Sequence, residues 1–497
     1  MDSIIRLSNI RSPCGQFSYF CAMIKRFILL SFTFFFSILI AAQDKWDLRK
    51  CVEYALVNNI SVKQADVQAR FSELTYKQNK AARLPSLNFG GSIGYRFGRS
   101  ENPTTGVLED NNFLSTGMQL QSQVSLFNWF SQKNTIEASR LQNEADKEQV
   151  KKTQNDVALN IAVAYLQILL AREQVNLANV KIQQTKTQLE VARKKVAAGI
   201  LPEIESANLE AQLAVDSSSL VAVQTSADQS VLLLKALLNM DAAFPFDIET
   251  PSVDLIPLLP LADLQPELVY ALATANLPQQ KVNDLLLLSA QKNVAASRGA
   301  MYPSVSAFGG LSTNYVDIKV PEYQVGPKTA TGATVNVGGT DYDVVAPSFI
   351  QVGERIIPLG RQFRNNFGQN VGIGLNIPIL NGKLARTNWE RSKLNVRVYE
   401  LQKEQAQQQL KQDIYTAYTN AVAAMQKFNA DKKTVETSAK VYEFALKRYD
   451  VNLLSTYDLI ISQNNLQSAR FQALYSQYDY VFKMKLLEFY RGQGLKL

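Results

Sequence analysis

The stretch VAAGILPEIESANLEAQ, residues 196–212, interrupts a long segment that holds no other helix-breaking residue. Neither glycine nor proline occurs from Ser131 to Ala198, and neither occurs from Glu203 to Asn239. Within the stretch, Gly199 suits the left-handed backbone at a helix end, and Pro202 suits the first turn of a following helix. The stretch therefore predicts a tight turn between two long helices.

Apolar and small residues recur along the first of these helices at alternating spacings of four and three. This pattern is typical of a coiled-coil seam, and small residues at alternate positions allow close helix approach. The 68 residues from Ser131 to Ala198 would extend about 100 Å as one helix, more than a compact domain can contain. The seam residues are Ile161, Ala164, Ile168, Ala171, Val175, Ala178, Ile182, Thr185, Leu189, Ala192 and Val196.

The second half of the chain repeats the order of the first. Leu201 matches Leu454 at an offset of 253 residues, and the same offset relates the seam to a second one. Nearer the start of each half, Pro85 matches Pro303 at an offset of 218. The difference of 35 residues indicates an insertion in the second half, within about 311–366. Each half therefore predicts helix, strand, loop, strand, long helix, turn, helix.

Alternating residues mark the strands, most clearly in TGMQLQSQVSLF (116–127) and NVGIGLNIPIL (370–380). One face is apolar and the other polar, which in an exported protein fits a membrane barrel with lipid outside and water within. Four strands cannot close a barrel, so we expect two or three copies to assemble. The insertion, rich in Gly, Thr, Val and Pro, is expected to be an extracellular loop. The strands are expected at about 86–96, 115–127, 304–314 and 368–379.

The N-terminal region resembles a secretory leader. Lys25 and Arg26 precede an apolar segment, Phe27 to Ile40, that ends at two small residues, so we expect a signal peptide within residues 1–42 and Met23 as the real start. The net charge of +8 comes partly from this leader, and the remainder is too small to indicate nucleic-acid binding.

The sequence contains few residues of the types that catalyse reactions or bind metals. Histidine is absent, which removes the commonest general base and metal ligand. The only cysteine after the leader, Cys51, lies in an amphipathic helix, and we favour a buried apolar role over a reactive thiol. The sequence GGSIG at 90–94 lacks the following helix that a dinucleotide site needs. We therefore expect no enzyme and no catalytic, cofactor or metal site.

Taken together, the order, spacing and repeat resemble the outer-membrane efflux protein family of TolC, over essentially all of the chain after the leader. The resemblance implies a mainly α fold with membrane β-strands, in which two repeats of β-hairpin plus long coiled-coil helical hairpin form a trimer. Its twelve-stranded β-barrel, four strands per chain, would stand on an α-helical periplasmic tunnel. The implied parts are a first repeat at 43–240 with its helical hairpin at 131–239, a proline-rich equatorial connector at 241–266, and a second repeat at 267–497 with its hairpin at 383–491.

The resemblance also implies a function. The trimer would be a passive duct in the outer membrane of a Gram-negative bacterium, in contact with lipid and with its tunnel in the periplasm. A periplasmic adaptor (membrane fusion) protein and an inner-membrane RND or ABC transporter would deliver substrates to it. One alternative is the outer-membrane component of type I protein secretion. An alternative of another class is a secreted coiled-coil scaffold that binds other surface proteins.

The two turns between long helices would then be the periplasmic tip. Asp458, Ile461, Tyr449 and Glu205 are the implied gate residues, with Asp458 forming an acidic ring in the trimer. A helix cap after Ser455 and Thr456 is an equally good reading of Asp458. The implied adaptor-docking turns comprise Gly199, Ile200, Leu201, Pro202, Asn452, Leu453, Leu454 and Ser455.

Overall fold

A computed structural model describes residues 45–101, 106–110, 112–251, 253 and 256–492. The predicted leader, 1–42, lies outside the described residues. No helix in this described part is both long enough and apolar enough to cross a membrane.

The described chain contains nine α-helices and eight strands, with a short 3-10 helix at Leu261–Leu264. In chain order they are α1 Leu48–Asn58, α2 Ile60–Ala81, β1 Ser86–Arg96, β2 Arg99–Glu101, β3 Leu108–Asp110, β4 Phe113–Phe127, α3 Ser131–Ala197, α4 Glu203–Leu237, α5 Pro266–Asn276, α6 Pro278–Gly299, β5 Ser304–Val316, β6 Lys319–Val337, β7 Thr340–Ile356, α7 Leu359–Asn365, β8 Gly368–Asn376, α8 Leu384–Asp450 and α9 Thr456–Tyr490.

The chain divides into two compact units, and each combines segments from both halves of the sequence. The strand unit comprises Ala65–Val150 and Pro278–Gln408. The helical unit comprises the described residues within 45–64, Lys151–Leu277 and 409–492. Helices α3 and α8 contribute residues to both.

A four-stranded antiparallel sheet in the order β1-β4-β5-β8 organises the strand unit. Its register separates the two faces. One face carries exposed apolar side chains, such as Phe89, Ile93 and Val371, the last of which is 91 % exposed. The other face carries Asn88 and Gln121, which lie opposite each other on β1 and β4. Among the described residues, no strand pairs with the outer edge of β1 or β8.

The strand ends differ slightly from those predicted by alternation. β4 begins at Phe113, two residues earlier than expected, and β5 extends to Val316. β8 ends at Asn376 although the apolar alternation continues to Ile379. Pro378 explains the shorter strand, because proline has no N–H to contribute to the ladder.

The insertion was wrongly predicted as a loop: most of it forms the long antiparallel hairpin of β6 and β7. Val337 pairs with Thr340 across a two-residue turn of Gly338 and Gly339, whose φ angles are +61° and +91°. A Gly-Gly turn with positive φ is a strong hairpin signal, and the flanking Val and Thr residues favour strands. The Gly- and Thr-rich composition of the insertion had favoured a loop over this hairpin.

Aromatic residues gather where the strands meet the helices. Trp129 packs against Phe127 and Tyr302, with ring centroids 5.5 Å and 4.9 Å apart. Gly299 lies so close that a β carbon there would be 2.7 Å from the Trp129 carbonyl oxygen. This close approach fixes the start of α3 beside the end of α6.

The long helices of the two halves have equal lengths. α3 and α8 each span 67 residues, α4 and α9 each span 35, and every boundary is related by the offset of 253. Of the predicted seam along α3, all but Val175 and Val196 are buried. The coiled-coil character predicted from the four-three spacing is confirmed.

The core of the helical unit forms around Tyr165 on α3. Tyr165 packs with Cys51 of α1 and Leu234 of α4, and its hydroxyl donates to the Glu249 carbonyl at 2.7 Å. Cys51 is fully buried, as predicted, and burial raises its thiol pKa to about 12. The proline-rich connector therefore packs on the long helices through its backbone as well as its apolar side chains.

Candidate docking and gating site at the helical turns

The first turn ends α3 in a left-handed residue. Gly199 has a φ of +70°, and the N–H of Ile200 donates to the Lys195 carbonyl at 2.8 Å. This bond closes the helix end in the way that a glycine after a helix usually does. Pro202 is the N-cap of α4 rather than a residue of its first turn, since its ψ is 152° and its carbonyl accepts from the Glu205 N–H.

The second turn reproduces this geometry with a different residue. Asn452 occupies the position of Gly199 and has a φ of +58°. The N–H of Leu453 donates to the Arg448 carbonyl at 2.8 Å, which matches the bond made by Ile200. Asparagine tolerates the left-handed region better than most residues, so the two turns share one backbone form despite different sequences.

Asp458 takes part in a helix cap. Ser455 is the N-cap of α9, and its hydroxyl accepts from the Asp458 N–H at 3.1 Å. The same hydroxyl donates to the Asp458 carboxylate at 2.8 Å. The carboxylate is exposed, and it lies in the first turn of α9, where the helix dipole favours negative charge. The cap accounts for the position of Asp458 and leaves its charge facing solvent.

Glu205 joins the two turns directly. Its carboxylate accepts from the backbone N–H of Thr456 at 2.9 Å. Thr456 is the first residue of α9, so Glu205 satisfies a donor that has no partner within that helix. The negative charge of one hairpin therefore stabilises the helix start of the other.

Tyr449 is buried rather than exposed at the tip. It packs with Ala445 and Leu459, and its hydroxyl accepts from Thr456 Oγ1 at 3.4 Å. Lys195 of α3 lies above its ring, with Nζ 5.0 Å from the ring centroid. Tyr449 thus stabilises the second turn by packing against the residues on both sides of it.

Lys195 makes the second link between the turns. Its Nζ donates to the Asn452 side-chain oxygen at 3.2 Å and to the Asp450 carbonyl at 3.4 Å. Together with Glu205, it places one cationic and one anionic contact between the two hairpins. Lys195 was not predicted as a site residue, because it belongs to no recognisable motif. The signal that could have identified it is its match to Arg448 at the offset of 253 residues.

Several apolar side chains at the turns are exposed. Ile461, one turn along α9 from Asp458, is 39 % exposed, and Leu453 is 69 % exposed. Leu201 and Leu454 are partly buried, and Leu454 packs against the cluster around Tyr449. Exposed apolar residues grouped in this way are typical of a protein-binding surface. The exposed members are Ile200, Ile204, Val451, Leu453, Tyr457 and Ile461.

A buried polar layer lies deeper among the long helices. Asp216 of α4 accepts from Thr185 of α3 at 2.8 Å and pairs with Lys181 at 2.7 Å. Gln463 of α9 donates to the same Thr185 at 3.3 Å. These contacts join α3, α4 and α9 through groups that are costly to separate inside a protein.

A second contact in this layer reaches α8. Gln188 of α3 donates to the Tyr442 hydroxyl at 2.7 Å. Burial raises the pKa of Tyr442, although the hydrogen bond from Gln188 acts in the opposite direction. The layer therefore ties all four long helices together near the turns.

The fold and these paired turns define a chain built from two strand pairs and two long helical hairpins. Residues 51–240 match the family described as "Outer membrane efflux protein". The chain is similar to "Toxin and drug export protein A" of Aggregatibacter actinomycetemcomitans, with 19 % identity over 87 % of this chain and 83 % of the relative. It is also similar to "Outer membrane protein TolC" of Escherichia coli (strain K12), with 20 % identity over 88 % and 80 % of the two chains.

The solved structures agree with the sequence matches. The fold matches a crystal structure of CusC with a TM-score of 0.71 and 18 % identity, covering 91 % of this chain and 93 % of CusC. This likeness confirms the predicted fold of the single chain, in which strand pairs are combined with long helical hairpins. The chain is therefore similar to TolC and other outer membrane efflux proteins, and the family model itself covers residues 51–240.

Proposed function

We propose that the chain is the outer-membrane channel of a tripartite efflux or export system. Three copies form a passive duct that carries substrates from an inner-membrane pump and its adaptor to the outside. The strands lie in the outer membrane, and the helical tunnel lies in the periplasm. The observation that carries the proposal is the sheet of β1, β4, β5 and β8, which has one apolar face, one polar face and unpaired outer edges among the described residues.

The unpaired edges support assembly. Exposed backbone groups in lipid are costly, so each outer edge must pair with another chain. Three copies of four strands give the twelve strands of a closed barrel, and membrane barrels begin at about eight strands. The aromatic cluster of Phe127, Trp129 and Tyr302 lies at the end of the sheet, where a belt at the lipid–water boundary is expected.

We place the gate and the docking surface at the turns. Three exposed Asp458 carboxylates would form an acidic ring, with Ile461 as an apolar ring one helical turn deeper. The exposed apolar residues at the turns would receive the adaptor. The chain contributes no energy source in this proposal, which an RND or ABC transporter supplies.

Reconstitution tests the proposal directly. Protein purified from outer membranes should migrate as a heat-sensitive trimer and produce discrete conductance steps in planar lipid bilayers. Cells that lack the gene should accumulate the substrates of the inner-membrane pump. Monomeric protein that is released from cells without detergent and produces no conductance would favour the secreted scaffold instead.

The second candidate is the outer-membrane component of type I secretion. It is favoured by the similarity to a protein named for toxin as well as drug export. Both candidates use the same duct, so the conductance experiment does not separate them. Loss of an exported polypeptide from the medium of the deletion strain, with unchanged drug sensitivity, would select secretion.

A further inference from the structure

The polar face of the four-stranded sheet carries many hydrogen-bonding groups and almost no charge. Arg96, at the end of β1, is the only charged residue in β1, β4, β5 and β8, all of whose residues the structure describes. In the channel proposed above, this face lines the water-filled lumen. A wall with one fixed charge per chain, at the end of a strand, neither attracts nor repels ions strongly along most of its length.

Carboxamides form a row across this face. Asn88 lies opposite Gln121, which lies opposite Gly310, which lies opposite Asn370. A β carbon on Gly310 would be 2.7 Å from the Asn370 side-chain oxygen. The Asn370 carboxamide therefore extends over the glycine toward Gln121, and a side chain at Gly310 would displace it.

An aromatic ring occupies the neighbouring row. Phe308 lies beside Gln123 on one side and opposite Gly372 on the other. A β carbon on Gly372 would be 2.7 Å from Phe308 Cζ, and one on Gly374 would be 3.8 Å from Cε1. The ring thus extends over Gly372 and Gly374 of β8. It is nevertheless 41 % exposed on a face that is otherwise polar.

Gln121, Gln123, Phe308 and Asn370 are among the residues that line a depression of about 360 Å³. We propose that this depression binds uncharged solutes that combine an apolar ring face with hydrogen-bonding groups, and that three copies act in the duct. Phe308 supplies a surface for the ring face. The carboxamides of Gln121, Gln123 and Asn370 both donate and accept, so they can satisfy hydroxyls or amides on the solute. The inference rests on the proposed function, because it requires this face to line the lumen.

The charge neutrality is tested by chemical modification of Asn88→Cys in reconstituted channels. The native Cys51 is buried and does not compete. Anionic and cationic methanethiosulfonates should modify the introduced thiol with a rate ratio within about twofold of that at Thr329→Cys on the exposed hairpin. Adding Gln119→Glu should favour the cationic reagent severalfold. If the rate ratio at Asn88→Cys, without Gln119→Glu, differs more than about tenfold from that at Thr329→Cys, the wall is not neutral.

The binding is tested by single-channel recording with two uncharged probes, maltohexaose for a sugar ring and caffeine for a planar heterocycle. At least one should interrupt the current, and the probe that does so identifies the ring type. Phe308→Leu, which keeps an apolar side chain without the aromatic ring, should shorten the interruptions at least severalfold. Phe349→Ala, on the exposed hairpin, should leave them unchanged.

The outcomes separate this inference from the proposed function. A conducting channel that neither probe interrupts, or whose interruptions survive Phe308→Leu, would overturn the binding site. Absence of conductance, together with an Asn88→Cys thiol that no reagent reaches from either side of the membrane, would overturn the proposed function itself.

Discussion

The carboxylate of Glu205 on α4 accepts a hydrogen bond from the backbone N–H of Thr456, the first residue of α9, at 2.9 Å. The contact connects the returning helices of the two hairpins at the turns. If the turns form the proposed gate, opening it requires both hairpins to move together or this bond to break. The same contact holds the starts of α4 and α9 beside each other, with Pro202 and Ser455 as their N-cap residues.

Removing the Glu205 carboxylate should loosen the tip. Glu205→Ala leaves the Thr456 N–H without this acceptor, which typically costs about 1 kcal/mol. We expect a higher resting conductance in planar bilayers. Glu205→Gln keeps an acceptor oxygen at the same distance from the backbone and serves as the matched control. Equal conductance in the alanine and wild-type channels would show that the contact does not hold the tip closed.

The charge of Asp458 can be separated from its capping role. Asp458→Asn removes the negative charge and should lower cation selectivity, measured as a smaller reversal potential in a salt gradient. Ser455→Ala removes the cap hydroxyl at a typical cost of about 1 kcal/mol but keeps the carboxylate. Selectivity should therefore persist in Ser455→Ala. If both variants lose selectivity equally, capping rather than charge explains the role of Asp458.

Ile461 should resist wetting of the closed tip. Because its side chain is partly exposed one turn beyond Asp458, replacing it with serine would lower the cost of water at that level. We expect Ile461→Ser to raise the resting conductance, with Ile461→Val as the conservative control. An unchanged conductance would place the narrowest point elsewhere.

Cys51 should report on the integrity of the helical core. Burial raises its pKa to about 12, whereas the thiol in the unfolded chain titrates near its ordinary value of about 8.5. The native state therefore holds its proton to higher pH than the unfolded state. The stability contributed by the protonated thiol is complete below about pH 8 and is lost as the pH rises toward 12.

Two measurements check this pH dependence. The denaturation midpoint should fall above pH 9 less in Cys51→Ala than in the wild type. A thiol reagent at pH 8 should modify Cys51 only after denaturant is added. Rapid modification of the folded protein would contradict the buried position.

The β6–β7 hairpin should be dispensable for the channel. None of its strands joins the four-stranded sheet, which is complete without it among the described residues. Replacing residues 319–356 with a short Gly-Ser linker should preserve heat-sensitive trimers and conductance. Loss of trimers, with normal export of the shortened chain, would show that the hairpin takes part in assembly.

The long helices and the turn between them were readable from the sequence because glycine and proline are absent over such long stretches and occur together at Gly199 and Pro202. The sheet was readable because alternation of apolar and polar residues has a period of two. The second turn was located only by its offset, since Asn452 gives no breaker signal of comparable strength. The hairpin at Gly338 was not predicted, because a segment rich in Gly, Thr, Val and Pro is also typical of an irregular loop.

The contacts between the two hairpins could not be predicted from the sequence. Glu205 and Thr456 are 251 residues apart, and Lys195 and Asn452 are 257 apart. No periodicity connects such pairs, because their approach depends on how the helices pack. Tyr449 was expected at the gate, but its place beneath the turn depends on the rotation of α8 about its own axis, which a seam pattern fixes only approximately.

In the proposed channel, three copies of this chain close one membrane barrel. Native mass spectrometry of the protein, extracted by detergent from purified outer membranes, measures this most directly. We expect a single species of three chains that dissociates only on heating. A monomer or dimer in the same extract, or a protein absent from the outer membrane, would contradict it.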